Sequence, residues 1–458
     1  MKVKFLFINA IDSSKKVETK YPPLGIGYLI SSLRTYFGRD KIVFKVIHDN
    51  IEKEIIDFKP DIVGISSVSQ NYNRAIAYTR ISKKHGLPVI VGGVHISMMP
   101  SSLTMDMDVG VIGEGEVTIC ELLESFIKEG RFIKTNLKKI KGIIYWNDNN
   151  TIAASAEREL IPFLDKLHPP ARDLFDIQPR TYMFTSRGCP YHCSFCASSL
   201  FWNKVRFFSA EYVANEIGYL INEYNVKHIN FYDDIFSVDV KRVKKIINIL
   251  RERDYLGKVD FSCSIRANMV NGKVIRLLKE MGVKSISMGL ESGTNKILKY
   301  LKRDNVSVSK NKDAIEIIKK HKIPVSGSFI IGAPEEDKED ILETLKFILK
   351  SKLDGFDVYV LMPFPGTPVW DYAIARNLVN EKMDWGKLNV NFKDNYNSAV
   401  ILSEKLTRKE IYKLFLRFRY EKRKIEIYKL FKKGVENPLK IPSFLIKKIR
   451  AFAIKSKL

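Results

Sequence analysis

The chain has 458 residues, of which 45% are hydrophobic and 11% aromatic, enough apolar material to bury a substantial core and exclude wholesale disorder. Its net charge is +24, from 76 Lys and Arg against 52 Asp and Glu, which suits an anionic partner without selecting nucleic acid, lipid or an acidic substrate. Five cysteines, three of them clustered, exclude a secreted disulfide framework and point to a metal site in a reducing compartment.

The chain start, Met1 to Asn9, reads as a first buried strand, because its short apolar run lacks a small-residue cleavage site. No apolar run reaches the ~18 residues that a membrane span needs, so a cytoplasmic protein is expected. Length alone suggests about three domains. Over 1–135, strands are expected near 3–9, 43–48, 61–67, 88–94 and 109–115. Amphipathic helices are expected near 25–37, 50–58, 72–85, 97–105 and 116–129. Five such units predict an α/β domain of flavodoxin-like, Rossmann-like type, with a parallel sheet covered on both faces. Ligands of these sheets sit at the strand carboxyl ends. Here those ends carry Asn9, the 66–70 segment, Gly92-Gly93 and Gly113-Glu114-Gly115-Glu116. The glycines would let backbone approach a bulky ligand, or would simply make tight turns.

A link at 136–178 holds an expected hairpin, with Gly142 to Trp146 turning at Asn147-Asp148-Asn149-Asn150. From 179 to 370 the alternation restarts. Strands are expected near 181–186, 228–232, 259–265, 283–289, 323–331 and 355–361, with helices near 210–224, 239–252, 271–281, 309–321 and 337–350. Six units are too few for a closed eight-stranded barrel and predict an open, partial (β/α)6 barrel. Residues 371–458 read as a basic helical region, and 404–458 alone carry a net +13.

The chemistry concentrates in Thr185-Ser-Arg-Gly-Cys189-Pro-Tyr-His-Cys193-Ser-Phe-Cys196, directly after the first barrel strand. Three thiolates on one loop can hold an iron–sulfur cluster, which normally takes four ligands. Cys120 lies in a helix pattern, where a buried thiol is the simple reading. Cys263 alternates with Ser262 and Ser264 and so faces the outer helices if the serines face inward. One iron is then left open. A zinc site of the three cysteines and His192 is the structural alternative, but His192 adjoins Cys193, which makes convergence awkward.

The C-x3-C-x-aromatic-C loop after the first of six β/α units resembles the radical S-adenosylmethionine (AdoMet) superfamily. The resemblance implies a 4Fe–4S cluster on Cys189, Cys193 and Cys196, with AdoMet chelating the open iron and yielding a 5′-deoxyadenosyl radical. It implies that Phe195 shields the cluster or packs near adenine, and that Asp233, in Phe231-Tyr-Asp-Asp234, lies where the AdoMet amine binds. By the same resemblance Ser264 and Arg266 lie near the AdoMet carboxylate, Glu291 near the ribose, and Gly332 beside adenine. An Arg fork suits a carboxylate because it can bind two oxygens. The first-domain motifs Tyr21-Pro-Pro-Leu-Gly-Ile-Gly-Tyr-Leu29, Val91-Gly-Gly-Val-His95 and Ile112-Gly-Glu-Gly-Glu116 resemble cobalamin-dependent members. That group includes methyltransferases and the anaerobic magnesium-protoporphyrin ester cyclase. Gly92, Gly93, Gly113, Glu114 and Gly115 would then contact cobalamin.

One departure from that pattern matters. The D-x-H-x-x-G motif, whose His ligates cobalt in many cobalamin domains, does not occur after the first strand. His48 reads as a strand-end polar residue, His95 as a weaker candidate for lining the pocket, and the lower axial position of cobalt as open or water-bound. The resemblance thus implies methyl transfer from methylcobalamin to an unactivated atom of a small-molecule or lipid-like substrate. It further implies an external electron donor such as flavodoxin or ferredoxin. A radical cyclase or rearrangement enzyme is the enzymatic alternative. A methylthiotransferase would need a second cysteine set in the first domain, where only Cys120 occurs. Outside enzymes, an iron–sulfur nucleic-acid-binding redox sensor would use the basic tail but leave the AdoMet-like segments unexplained. The tail segments 413–420, 425–433 and 443–454 read first as a helical cap on the barrel. Their second reading is a basic amphipathic helix in peripheral contact with anionic membrane.

Overall fold

The computed structural model describes residues 2–303, 305–392 and 395–436. The first sheet contains β1 (Val3–Ala10), β2 (Ile42–Ile47), β3 (Ile62–Ser67), β4 (Val89–Gly92), β5 (Val109–Val111), β6 (Ile143–Trp146) and β7 (Ile152–Ala154). Their order is β2-β1-β3-β4-β5-β6-β7. β1 to β5 run parallel, and β6 and β7 continue the sheet antiparallel. The hairpin read above as part of the link therefore extends the first sheet. The order reverses between β1 and β3, which opens a crevice at their carboxyl ends.

β1 shows why this sheet is a middle layer. Phe5 and Phe7 join one apolar cluster and Leu6 and Ile8 another, so neither face of the strand meets water. Gly64 on β3 leaves room for these rings, since a Cβ there would lie 2.9 Å from Phe5. The Leu6 and Ile8 cluster continues through Ile297, Leu301, Ile330 and Trp370 of later segments, so the two sheets' layers dock through apolar contact.

The second sheet is built from β8 (Arg180–Met183), β11 (His228–Phe231), β12 (Asp260–Ile265), β13 (Val283–Glu291), β14 (Val325–Ile331) and β15 (Gly355–Val360). All are parallel and in sequential order, with β8 and β15 at the ends of an open sheet. A two-residue pair, β9 (Ser186–Arg187) and β10 (Arg206–Phe207), stands apart from it. Along β12, Phe261, Cys263 and Ile265 are buried in the outer core, while Ser262 bonds to Asn230 and His228 of β11. The alternation read from sequence places Cys263 as expected.

Local differences have local causes. The helix expected near 97–105 begins at Val94 and ends at Met98, and Pro100 opens a separate turn over Pro100–Ser102. β5 stops at Val111, ahead of Gly113 at φ +75°. The Asn295–Lys302 helix lies between the expected elements and was not anticipated.

A helix over Arg408–Glu436 runs along β15. Ile411, Leu414, Phe415 and Phe418 form its buried stripe, spaced three and four residues apart. Lys422 pairs with Asp357, and Lys429 donates to the carbonyl of Asp354. The first half of the tail is thus a barrel cap, while the 443–454 segment lies outside the described residues. No helix among the described residues is long and apolar enough to cross a membrane. Phe418→Ala should destabilise the chain by about 3–5 kcal/mol, lowering the thermal midpoint. Tyr428→Ala, at a 69% exposed position, should change stability by less than about 0.5 kcal/mol.

Candidate functional site at the junction of the two sheets

The cysteine loop leaves β9 and returns to β10. Gly188 starts it at φ +93°, and a Cβ there would lie 2.7 Å from the carbonyl of Lys204, so only glycine fits. Asp233, at the end of β11, braces the loop's root. Its buried carboxylate accepts from the amide of Thr185 at 2.6 Å, the amide of Ser186 at 3.2 Å and the Thr185 hydroxyl. Burial pushes the Asp233 carboxyl up against these bonds. Both of its oxygens are engaged, so the neighbouring Asp234, bonded to Ser198, is the carboxylate of this pair that stays exposed to the cavity.

Cys189, Cys193 and Cys196 are partly buried, and burial pushes the thiols of Cys189 and Cys196 up to about 11 and about 12. Among the described residues, no three His, Cys, Asp or Glu side chains gather tightly enough to hold a single ion. The three thiols share one loop, as ligands of one iron–sulfur cluster would. Cys120 is buried and donates to the carbonyl of Glu116 at 3.3 Å, and Cys263 lies in the outer core. Neither joins the loop.

Arg266 reaches that loop from the end of β12. Its Nη1 donates to Cys193 Sγ at 3.4 Å and its guanidinium stacks 3.8 Å over the ring of Tyr191. Its Nε is buried with no partner among the described residues. An orphaned guanidinium N–H is what an incoming carboxylate would satisfy. Ser264 lies two residues before it on the same strand.

Glu291 is buried at φ +60° and faces the Lys302 ammonium at 3.4 Å. Burial raises its carboxyl despite the lysine. Lys302 also donates to the carbonyl of Gly289, and the amide of Gly332 donates to Glu336 at 2.6 Å. Glu336 is fully buried, which pushes its carboxyl up to about 8. Sequence reading missed Lys302 and Glu336. Lys302 closes the Asn295–Lys302 helix, and Glu336 sits four residues beyond Gly332. Phe195 packs half-buried against the cluster that contains Leu301 and Ile330.

A cavity of about 1090 Å³ opens between the two sheets. That exceeds the ~300–1,000 Å³ of most small-ligand sites and leaves room for a corrinoid-sized group. Asn9, Ser66, Gly92, Gly93, Gly113 and Gly115 line it from the first sheet, and Tyr182, Phe184, Gly188, Trp202 and Tyr232 from the second. A Cβ at Gly113 would meet no protein atom within 4 Å, so its backbone lies bare to the cavity. Gly93 serves the turn itself, because at φ +101° its Cβ would lie 2.5 Å from the carbonyl of Ser67.

Two first-domain expectations change. Glu114 lines the cavity, but its carboxylate is committed to protein. It pairs with Arg187 at 2.5 Å and Arg206 at 2.8 Å, and accepts from the amide of Ile161 at 2.6 Å. Burial alone would raise its carboxyl, yet Arg206 and Arg187 hold it below the ordinary carboxylate range. His95 does not line the cavity. It is fully buried between Tyr72, 3.8 Å away, and Trp385, 4.4 Å away, with Nδ1 3.0 Å from the Ser69 hydroxyl. Burial pushes it down to about 3 and keeps it neutral. His48 is exposed beside Asp49. No histidine stands among the cavity-lining residues.

Iron and sulfide analysis after anaerobic reconstitution checks the donor set. Cys189→Ala, Cys193→Ala and Cys196→Ala should each lose the cluster, whereas Cys120→Ala and Cys263→Ala should retain it. Loss in Cys263→Ala with retention in the other three would overturn the assignment.

Comparison with known proteins agrees with this geometry. Residues 183–348 match the radical SAM superfamily model and residues 14–123 the B12 binding domain model. An uncharacterized methyltransferase of Pyrococcus horikoshii is 34% identical over 388 residues, covering 81% of this chain and 82% of that protein. The anaerobic magnesium-protoporphyrin IX monomethyl ester cyclase of Cereibacter sphaeroides is 24% identical over 435 residues, covering 90% of this chain and 68% of that protein. The cobalamin-dependent S-adenosylmethionine radical enzyme OxsB, solved with aqua-cobalamin and S-adenosylmethionine, superposes with a TM-score of 0.71 at 18% identity. That match covers 99% of this chain and 75% of OxsB and shows a shared fold. The chain belongs to the radical SAM superfamily, among its cobalamin-dependent enzymes, with a 4Fe–4S cluster, AdoMet and cobalamin as its cofactors.

Proposed function

We propose that the chain methylates an unactivated atom of a small molecule held in the cavity between the two sheets. The observation that carries this reading is the cavity itself, whose wall runs from the bare glycine turns of the first sheet to Gly188 and Asp234 beside the cysteine loop. When bound, the cluster and AdoMet supply a hydrogen-abstracting 5′-deoxyadenosyl radical and cobalamin supplies a transferable methyl group, with electrons from an external donor.

The chain's own residues bind and orient. Arg266 offers its orphaned Nε to the AdoMet carboxylate, and Asp234 offers an acceptor to the amine. Glu291, held by Lys302, offers an acceptor to ribose hydroxyls. Glu336 fixes the Gly332 turn beside the adenine position, and Phe195 closes the apolar side. Asp233 acts one step back, through Thr185 and Ser186. Gly92, Gly93, Gly113 and Gly115 give the corrin a backbone floor. A wall of Tyr21, Tyr182, Phe184 and Tyr232, with neighbouring ring centroids 5.1–5.9 Å apart, gives substrate an aromatic surface in the cavity. Substrate atoms must be aligned between two reacting groups, so placement dominates the protein's contribution.

A lipid-like substrate has one specific observation in its favour. Leu416 and Tyr428 are exposed on the outer side of the tail helix, among arginines and lysines, where a membrane surface could be met.

Two measurements test the reading. Holoenzyme given a reductant, methyl-deuterated AdoMet and anaerobic cell extract should transfer label into a small molecule while forming 5′-deoxyadenosine. Consumption of an extract component with 5′-deoxyadenosine but no label would favour cyclisation or rearrangement. Electron paramagnetic resonance of the cob(II)alamin form should show no nitrogen splitting from an axial imidazole. Such splitting would contradict the histidine-free wall.

A further inference from the structure

Between the cysteine loop and the cobalamin floor lies a closed knot of charge. Arg187 sends one guanidinium nitrogen to Glu114 and the other to Glu116, each at 2.5 Å. The Arg187 guanidinium lies between the rings of Tyr28 from the first domain and Trp202 from the cysteine loop's return, 5.3 Å from each. Arg206 closes the knot on Glu114 at 2.8 and 3.1 Å. Both carboxylate side chains are nine-tenths or more buried.

The sequence positions of these groups give the knot its meaning. Arg187 is separated from the cluster ligand Cys189 only by Gly188, at φ +93°, where a Cβ would lie 2.7 Å from the carbonyl of Lys204. Glu114 stands between Gly113 and Gly115 in the cavity floor. A shift of the guanidinium therefore moves one cofactor's anchor against the other's. Apolar packing holds the domains together, but it is non-directional and does not fix this separation. A bidentate fork does, because its two bonds set both distance and angle.

We infer that Arg187, gripping Glu114 and Glu116, is the positioning residue that sets the separation of cobalamin from the iron–sulfur cluster and so couples AdoMet cleavage to methyl capture. The methyl-capture part rests on the methyltransferase reading above. The separation does not.

The test uses the full chain reconstituted with iron, sulfide and cobalamin. Arg187→Lys keeps the charge but, as a point donor, cannot hold both carboxylates in fork geometry. It should load both cofactors at wild-type levels and alter the magnetic broadening of cob(II)alamin by the reduced cluster. AdoMet-dependent methylation of cobalamin should fall about tenfold or more relative to 5′-deoxyadenosine release. Arg172→Lys is the structural control. It loosens the fully buried Arg172–Glu216 pair, which reaches the cavity only through the carbonyl of Tyr182, and should lower the thermal midpoint while leaving the broadening unchanged. If Arg187→Lys fails to load, Glu116→Gln, which weakens one arm only, is read in the same way.

Wild-type broadening in the loaded Arg187 or Glu116 variant overturns the inference, as does the same change in Arg172→Lys. Altered broadening with no methylation of cobalamin even by wild-type enzyme would retain the positioning role and overturn the methyltransferase reading instead.

Discussion

Burying two carboxylates and two guanidiniums together is expensive unless their bonds are nearly complete, because each ion gives up several kcal/mol of hydration. At the junction of the two sheets that condition is met at Glu114, while Glu116 Oε2 and Arg206 Nε stay buried without a partner among the described residues. Glu114 is engaged by Arg187, Arg206 and the amide of Ile161, and Arg206 returns a bond to the carbonyl of Ile161. Three separated stretches of chain are thereby fixed to one carboxylate. Removing one partner would strand a buried charge at a cost of about 3–5 kcal/mol. The net gain in stability is small, since a hydrophobic replacement could serve as well. What the arrangement adds is registration, and the cavity wall inherits it.

The same division between holding and placing recurs in the second sheet. Its outer face is a continuous apolar core, from Phe231 and Phe261 to Phe418 of the tail helix. The strand ends are set instead by titratable groups that sequence would assign to solvent. Asp233 fixes Thr185, Arg242 donates to the carbonyl of Thr185 at 2.8 Å, and Glu336 fixes Gly332. Each constrains a backbone turn at a strand end. Hydrogen bonding here serves geometry.

This division explains how far the sequence could be read. Strand alternation and the cysteine spacing depend on neighbours within a few residues, so β12 with its outward Cys263 and the Cys189–Cys193–Cys196 loop were legible. Partners far apart in sequence were not. Glu114 reads as one more acidic residue in a glycine-rich turn, and nothing nearby reveals Arg187, 73 residues on. His95 follows Gly92-Gly93 and reads as lining the pocket, but its environment comes from Tyr72 and Trp385, the latter nearly 300 residues away. Lys302 is invisible for a different reason. Its buried position depends on a carboxylate at Glu291, and a lysine closing a helix ordinarily lies in water.

The open barrel has a liability that closed ones avoid. A sheet that does not close leaves end strands whose backbone groups can pair with another chain. β15 is such an end strand. Its Val360 amide bonds to the carbonyl of Val390, and the 408–436 helix lies along it, anchored at Asp354 and Asp357. The basic tail helix thus shields an edge. A chain ending just after β15 would keep both sheets and the cavity-lining residues named above, yet expose β15 as a template for strand addition. Aggregation of such a fragment would then report on its uncovered edge and say nothing about its cofactor sites.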